Sequence, residues 1–323
     1  MRAQRQGPPG LDVLKDQLLQ DGADAMNPVP LTHTMRGRTC LITGASSGIG
    51  RATALGLAAL EAQLVLVCRD RNRGEVTRAE IQSQTGRPDV QLMIADLSSQ
   101  QSIRELAQAF LATGQPLHVL INNAGIVNVN RSLTVDGLES VFAVNHLAYF
   151  LLTHLLLDRL RASAPARIVN VASDAHRFGA LNFDDIGGAR RYRTMRIYGQ
   201  SKLANILFTY ELARRLADTG VTVNCLHPGT VATGLGKNNG TWAKGLITIL
   251  RPFFRTPRSG AETSIYLAAS PAVEGVTGKY FTNCRETRSS KTSYDAAVQR
   301  RLWEMSAQLT GITADALPSH GGR

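Results

Sequence analysis

The sequence predicts an α/β fold: one doubly wound domain whose seven-stranded, mostly parallel sheet carries helices on both faces. Three observations predict it. From Arg38 onward, short apolar or β-branched runs alternate with longer amphipathic ones, the pattern of parallel strands joined by crossover helices. Many of the short runs are apolar throughout, as expected of strands covered on both faces. The first run then opens through glycines into a helical stretch, Thr43-Gly-Ala-Ser-Ser-Gly-Ile-Gly50.

Taken in order, the predicted strands are Thr39–Thr43, Leu64–Cys68, Val90–Ile94, Leu117–Ile121, Arg167–Ala172, Val221–Leu226 and Lys279–Thr282. The helical stretches between them include Leu55–Glu61 (within a run from Arg51), Glu75–Gln84, Ser99–Ala112, Val135–Arg161 and Met195–Asp218. A strand that turns through glycines into a helix is built to hold a phosphate. The first N–H groups of the helix are unpaired and its dipole favours an anion. Gly44 permits a tight turn, Gly48 lets the backbone approach a pyrophosphate, and Gly50 allows close helix–sheet packing. In such a sheet, ligands bind beyond the carboxyl ends of the strands. Polar or glycine-containing segments follow those ends: the glycine loop, Arg69, Asp96, Asn122-Asn-Ala-Gly125, Ser173 and His227-Pro-Gly229.

The chain has 323 residues, 43% hydrophobic and 19% charged, an ordinary globular composition sufficient for one large domain. The domain spans 37–312, preceded by a Pro-, Gly- and Gln-rich extension over 1–36 and followed by a flexible tail over 313–323. The formal net charge is +11, but the basic residues are scattered, with local groups at Ala189–Arg193 and Arg251–Arg258. A solvated basic surface is the better reading than a nucleic-acid site. Cys40, Cys68, Cys225 and Cys284 form no CxxC pair, and the first three lie in strand-like runs. Buried, reduced thiols in a cytoplasmic compartment are expected. No apolar run is expected to reach membrane-spanning length. The histidines show no metal-ligand spacing, so no metal is expected.

Tyr198 and Lys202 are four residues apart, on one face of a predicted helix. A free tyrosine titrates near about 10, so proton transfer near neutrality needs help. A neighbouring ammonium and a cationic ring would stabilise the phenolate; a shift of about three units corresponds to roughly 4 kcal/mol. Alone, a Y-x-x-x-K pair carries little information. It gains weight when the glycine loop and Ser173 occur with it.

With those residues in order, the chain resembles the short-chain dehydrogenase/reductase family. The motifs are Thr43-Gly-x-x-x-Gly-Ile-Gly50, Asn122-Asn-Ala-Gly125, Asn145, Ser173, Tyr198-x-x-x-Lys202 and Pro228-Gly229, spread from about Gly37 to Ile312. The resemblance implies a Rossmann fold. It is greatest to the retinol-dehydrogenase-like branch, through Val67-Cys-Arg-Asp70, Ser173-Asp-Ala-His-Arg-Phe178, Asn182–Ile186, Thr256–Ala261, Gly278–Phe281 and Leu302–Gly311. It implies that Tyr198 is the general acid–base, that Ser173 steers the substrate oxygen, and that Lys202 holds the nicotinamide ribose and depresses the tyrosine. Asn145 would fix a water that relays protons to Lys202.

The implied cofactor contacts are Gly44, Ser46, Ser47, Gly48, Ile49, Gly50 and Arg51 in the loop; Asp96 and Leu97 at the adenine edge; Asn122, Asn123, Ala124 and Gly125 after the fourth strand; Tyr198 and Lys202; and Pro228, Gly229, Val231 and Thr233 after the sixth. At the end of the second strand, an acid would select NAD by binding its ribose 2′-OH. That position is the neutral Cys68, and Arg69 beside it offers a fork of donors to a 2′-phosphate, with Arg51 as a second candidate. NADP(H) is therefore the expected cofactor.

The substrate region is expected at Gly234–Arg258, where Trp242, Leu246, Ile249 and Phe253 form a stripe at helical spacing. The stripe reads either as a lid over a small lipophilic carbonyl or alcohol, touching a membrane surface peripherally, or as a face packed on the core or a second subunit through self-association. His176, close after Ser173, is expected to line the substrate pocket. Two rival functions stand beside the oxidoreductase of retinal-like substrates: a biosynthetic ketoreductase of polyketide- or steroid-like carbonyls, and a catalytically silent NADPH-binding sensor.

Overall fold

Thr39–Thr43 form β1, with all five residues buried. The computed structural model describes residues 34–87, 89–229 and 256–313. After β1 come α1 (Gly48–Ala59), β2 (Gln63–Cys68), α2 (Arg71–Thr85), β3 (Val90–Ile94), α3 (Gln100–Ala112) and β4 (Val119–Asn122). Then follow α4 (Ser140–Ala162), β5 (Ala166–Val171), α5 (Thr194–Arg215), β6 (Val221–His227), α6 (Pro257–Ala269), β7 (Tyr280–Thr282), β8 (Arg285–Glu286) and α7 (Ala296–Thr310). The extension over 1–33, the end of the tail, and the segment holding Val231, Thr233 and Trp242 lie outside the described residues.

The strand order is β3-β2-β1-β4-β5-β6-β7-β8. Pairing is parallel from β3 through β7, and the order reverses beside β1, between β2 and β4. That switch point is where an open α/β sheet leaves a crevice for a ligand. One strand exceeds the expected seven. Asn283 and Cys284 both take left-handed backbone, φ 53° and 58°, and fold β8 back antiparallel on β7. Two consecutive left-handed residues make the tight hairpin whose twist matches the strands.

Alternate residues of the strands feed opposite faces. Cys40, Ile42, Leu64 and Leu66 pack with Leu57 of α1 and Ile265 of α6. Leu41, Val65 and Val67 pack with Phe110 of α3, Phe150 of α4, Phe208 of α5 and Trp303 of α7. The period of two along each strand thus supplies two cores. Cys40, Cys68 and Cys225 are buried free thiols.

Helix starts follow capping more than hydrophobic period. Asp70 accepts the Arg73 N–H at 2.9 Å, so α2 begins at Arg71, ahead of the apolar periodicity. The expectation that no run reaches membrane-spanning length is corrected by α4. This helix has 23 residues and a window of mean hydropathy 1.5, yet 89% of that window is buried inside the fold. Its length and apolarity serve the centre of the domain, where helix and sheet cover it on all sides.

Candidate active site

The glycine loop is shaped by two left-handed residues, Gly44 (φ +68°) and Gly48 (φ +54°). A side chain on either would be strained. Gly50 is sterically required: a Cβ there would meet the Gly44 carbonyl oxygen and Asn123 Nδ2 at 2.4 Å each. Ser47 begins α1 in extended backbone and makes no capping bond with its side chain, which leaves the first N–H groups of α1 facing the loop. Ser46 lies beside the Cys68 thiol, Ile49 is buried in the core, and burial pushes the thiol up to about 11.

Thr43 joins the loop to the turn after β4. Its Oγ1 accepts the N–H groups of Asn123 at 2.9 Å and Ala124 at 3.1 Å. Asn123 returns a bond from Nδ2 to the Thr43 carbonyl at 2.8 Å. Asn122 braces the layer beneath, donating to Asn170 Oδ1 at 2.9 Å and Thr153 Oγ1 at 3.1 Å. Gly125 faces two of the candidate side chains: a Cβ there would lie 3.4 Å from Asn145 Oδ1 and 3.5 Å from Lys202 Nζ.

At the end of β2, the two candidate arginines are placed differently. Arg69 is exposed and has no ion-pair partner among the described residues, since the neighbouring Asp70 is turned to cap α2. Arg51 instead forks onto the Glu80 carboxylate of α2 through its Nε and one terminal nitrogen. Asp96 accepts the N–H and hydroxyl of Ser98 at 2.9 and 2.8 Å, and Leu97 is buried beside it. Pro228 and Gly229 close β6, with Gly229 at φ +83°.

Ser173, Tyr198, Lys202 and Asn145 converge beyond β4 and β5. Asn145 lies in a π-helical turn, Ala143–Leu147, within α4. Such a turn adds a residue to the helix and turns one side chain out of register, a device frequent at functional sites. Asn145 is completely buried. Its Oδ1 accepts the Ile126 N–H at 2.8 Å, and its Nδ2 donates to the Ile126 carbonyl and to Ser201 Oγ, both at 3.0 Å. Lys202 Nζ donates to the Val171 carbonyl at 3.0 Å and lies 5.7 Å from the centre of the Tyr198 ring. Ser173 begins a 3-10 turn, Asp174–Phe178, its Oγ accepting the Ala175 N–H at 3.2 Å.

Two glycines bring that turn against α5. A Cβ on Gly179 would meet the Gly199 carbonyl oxygen at 2.4 Å, and one on Gly199 would meet the Ala175 carbonyl oxygen at 2.6 Å. The residue after Tyr198 is thus a backbone-to-backbone contact that seats Ser173 beside the tyrosine. Neither glycine carries a motif signal of its own; only their proximity in space reveals the role.

Burial pushes the Tyr198 phenol above its ordinary value, and the adjacent Ser173 side chain pulls the other way. Burial lowers Lys202 to about 7. Both are effects of desolvation on the charged form. The expectation for His176 is corrected. It does not line a pocket: it is completely buried, with Nδ1 on the Ser173 carbonyl at 2.7 Å, Nε2 accepting the Ser290 N–H at 3.1 Å, and its ring edge-on to Tyr280. Its three contacts make it a brace for the serine. Among the described residues, no cluster of side chains has metal-binding composition.

The arrangement fits a dinucleotide cofactor. Gly44 and Gly48 shape the loop in left-handed backbone, the Ser47 side chain leaves the α1 N-terminus uncapped, and Arg69 beyond β2 is exposed with no ion-pair partner among the described residues.

The family model described as short chain dehydrogenase matches residues 38–244. The chain is 46% identical over 291 residues to mouse retinol dehydrogenase 14, covering 86% of this chain and 87% of that one. It is 43% identical over 284 residues to human retinol dehydrogenase 11, covering 88% and 89%. A crystal structure of an uncharacterized protein from Mycobacterium paratuberculosis aligns with a TM-score of 0.71 at 33% identity, over 89% of this chain and 97% of that one. The Pseudomonas aeruginosa RhlG/NADP active-site complex aligns with a TM-score of 0.62 at 29% identity, over 77% and 95%.

Proposed function

This chain belongs to the short-chain dehydrogenase family, and from that premise we propose that it is an NADP(H)-dependent oxidoreductase interconverting a lipophilic aldehyde or ketone with its alcohol, Tyr198 acting as general acid–base. The observation that carries this reading is the convergence of Tyr198, Ser173, Lys202 and Asn145 beside the glycine cradle. The names of the relatives favour a retinal- or retinol-like substrate.

When bound, NADPH supplies a hydride to the carbonyl carbon. The chain manages the oxygen and its proton. A phenol raised by burial holds its proton at neutral pH, so Tyr198 is ready to donate it as charge develops on the carbonyl oxygen. Ser173 Oγ, fixed at the head of its 3-10 turn, offers that oxygen a second hydrogen bond. Lys202, near 7, exchanges protons close to neutrality and replenishes the tyrosine side of the site. Asn145 holds the backbone at Ile126 and, through Ser201, the start of the Tyr198–Lys202 turn. Gly44, Gly48 and Gly50 would hold the pyrophosphate at the α1 N-terminus. Arg69 would take the 2′-phosphate. A reducing cellular NADPH pool sets the direction towards the alcohol.

The test is NADPH oxidation against a panel of retinal, other lipophilic aldehydes, and steroid- and polyketide-type ketones, repeated with NADH. The expected result is turnover of the lipophilic aldehydes with NADPH preferred by at least about tenfold. Preference for the ketones supports the biosynthetic ketoreductase. Tight NADPH binding without turnover supports the sensor, and a tenfold preference for NADH defeats the cofactor assignment.

A further inference from the structure

Lys202 is held between two aromatic rings, and only one of them belongs to the residues already assigned. Its Nζ lies 5.7 Å from the centre of the Tyr198 ring and 5.9 Å from that of Tyr149. Both distances are within the reach of a cation–π attraction, which strengthens where water is excluded. Tyr149 is on α4, four residues after Asn145, and is 1% exposed. Its hydroxyl donates to the Ala124 carbonyl at 2.7 Å. Ala124 belongs to the turn that Thr43 and Asn123 tie to the glycine loop. One side chain therefore touches both the catalytic cation and the cofactor-side turn. Nothing in the motif pattern marks it; only its contacts in space do.

We propose that Tyr149 is a positioning residue of this site: its ring is the second aromatic wall that holds the Lys202 ammonium, and its hydroxyl fixes the Asn122–Gly125 turn at a set height above that ammonium. The proposal rests on the role given to Lys202 above. Among the described residues the ammonium's hydrogen bond is to the Val171 carbonyl of β5. From α4 the groups facing it are Asn145 and Tyr149; from its own helix, Tyr198; beyond β4, Gly125. Near Ser173, His176 is committed to Ser290 and Tyr280, and Asp174 is paired with Arg177. No carboxylate contributes to the shift of Lys202, which burial alone produces. In such a setting an electron-rich ring face is the remaining stabiliser of the charged form. Removing the ring should therefore favour the neutral amine and lower the Lys202 titration midpoint. Removing only the hydroxyl should leave the midpoint in place and loosen the turn.

The experiment is an NMR titration of the full, cofactor-free chain labelled with 13Cε-lysine, the Lys202 signal being assigned by its loss in Lys202→Met. The wild-type midpoint is expected near 7. In Tyr149→Leu it should fall by about one pH unit, a tenfold change in the ammonium-to-amine ratio. In Tyr149→Phe it should stay within about 0.3 unit, while NADPH binds a few-fold more weakly. An unchanged midpoint in Tyr149→Leu overturns the proposal, and so does an equal fall in both variants. Should Tyr149→Leu not fold, phenylalanines of increasing ring fluorination at position 149 keep the shape and drain the π face; a stepwise fall supports the proposal and a constant midpoint overturns it. Because this readout needs no turnover, its failure is distinct from failure of the functional reading, which a fully active Tyr198→Phe would reveal.

Discussion

The two halves of the site are built on opposite principles. On the α4–α5 side, the groups proposed for catalysis are fixed by the protein itself. Asn145 is completely buried with three hydrogen bonds, Lys202 is tied to Val171, and Ser173 is braced through His176 and the Gly179–Gly199 contact. On the β1–β2 side, donors are left open: Arg69 is exposed without an ion-pair partner among the described residues, and Ser47 does not cap α1. A group that passes a proton must be in place before the substrate arrives, so its position is set by internal bonds. A group that receives a phosphate keeps its donors unused, and glycine backbone supplies the shape instead. Arg51 differs from Arg69 within that side, since two of its nitrogens pair with Glu80.

That contrast can be broken first at Gly50. Gly50→Ala puts a Cβ against backbone, the Gly44 carbonyl oxygen, where relief requires movement of the loop. Overpacking of about 3 kcal/mol corresponds to a loss on the order of 100-fold in affinity for NADPH and NADH alike, read by calorimetry. Binding within twofold of wild type would show that the cradle is not where the cofactor docks. Arg69→Ala is the narrower cut. It should weaken NADPH about tenfold or more, as for a lost charge-assisted bond, and leave NADH unchanged. Equal losses for both cofactors would remove the 2′-phosphate assignment.

The smallest expected effect tests the internal fixing of the catalytic side. His146, next to Asn145 in the π-turn, bonds Asn205 of α5 at 3.3 Å and Ser306 of α7 at 2.9 Å. Burial lowers it to about 4, and His154 likewise. The folded state then binds fewer protons than the unfolded one between about 6.5 and 4. Stability is complete above that window and is lost as pH falls through it. His146→Gln should reduce the slope of stability against pH between 6.5 and 5 by up to about 1.4 kcal/mol per pH unit, measured by urea unfolding. An unchanged slope would mean that His146 is not held neutral.

Much of this site is legible in the sequence because backbone-level requirements leave local marks. Gly44 and Gly48 declare a turn that other residues strain, and Gly50 a close contact that only a glycine allows, whereas the Asp70 cap that starts α2 at Arg71 is passed over by the apolar period. What sequence order hides is contact across the fold. The π-turn at Asn145 leaves no mark in the sequence, and period-3.6 reasoning passes over it. His176 reads as pocket-lining because it follows Ser173, yet its partner Ser290 is 114 residues away. Arg51 and Arg69 look alike as donors until Glu80 claims one of them. Hydrophobic period starts α1 at Arg51 rather than Gly48, since glycine is a poor helix former.

The central claim is that the Tyr198 hydroxyl moves the proton while the rest of the site stays assembled. Tyr198→Phe tests it in one comparison: kcat for NADPH-dependent aldehyde reduction against NADPH affinity of the same preparation. The account predicts a loss of kcat of about 1,000-fold with the NADPH Kd within about twofold of wild type. Turnover within tenfold of wild type, in a variant that binds NADPH normally, would contradict it.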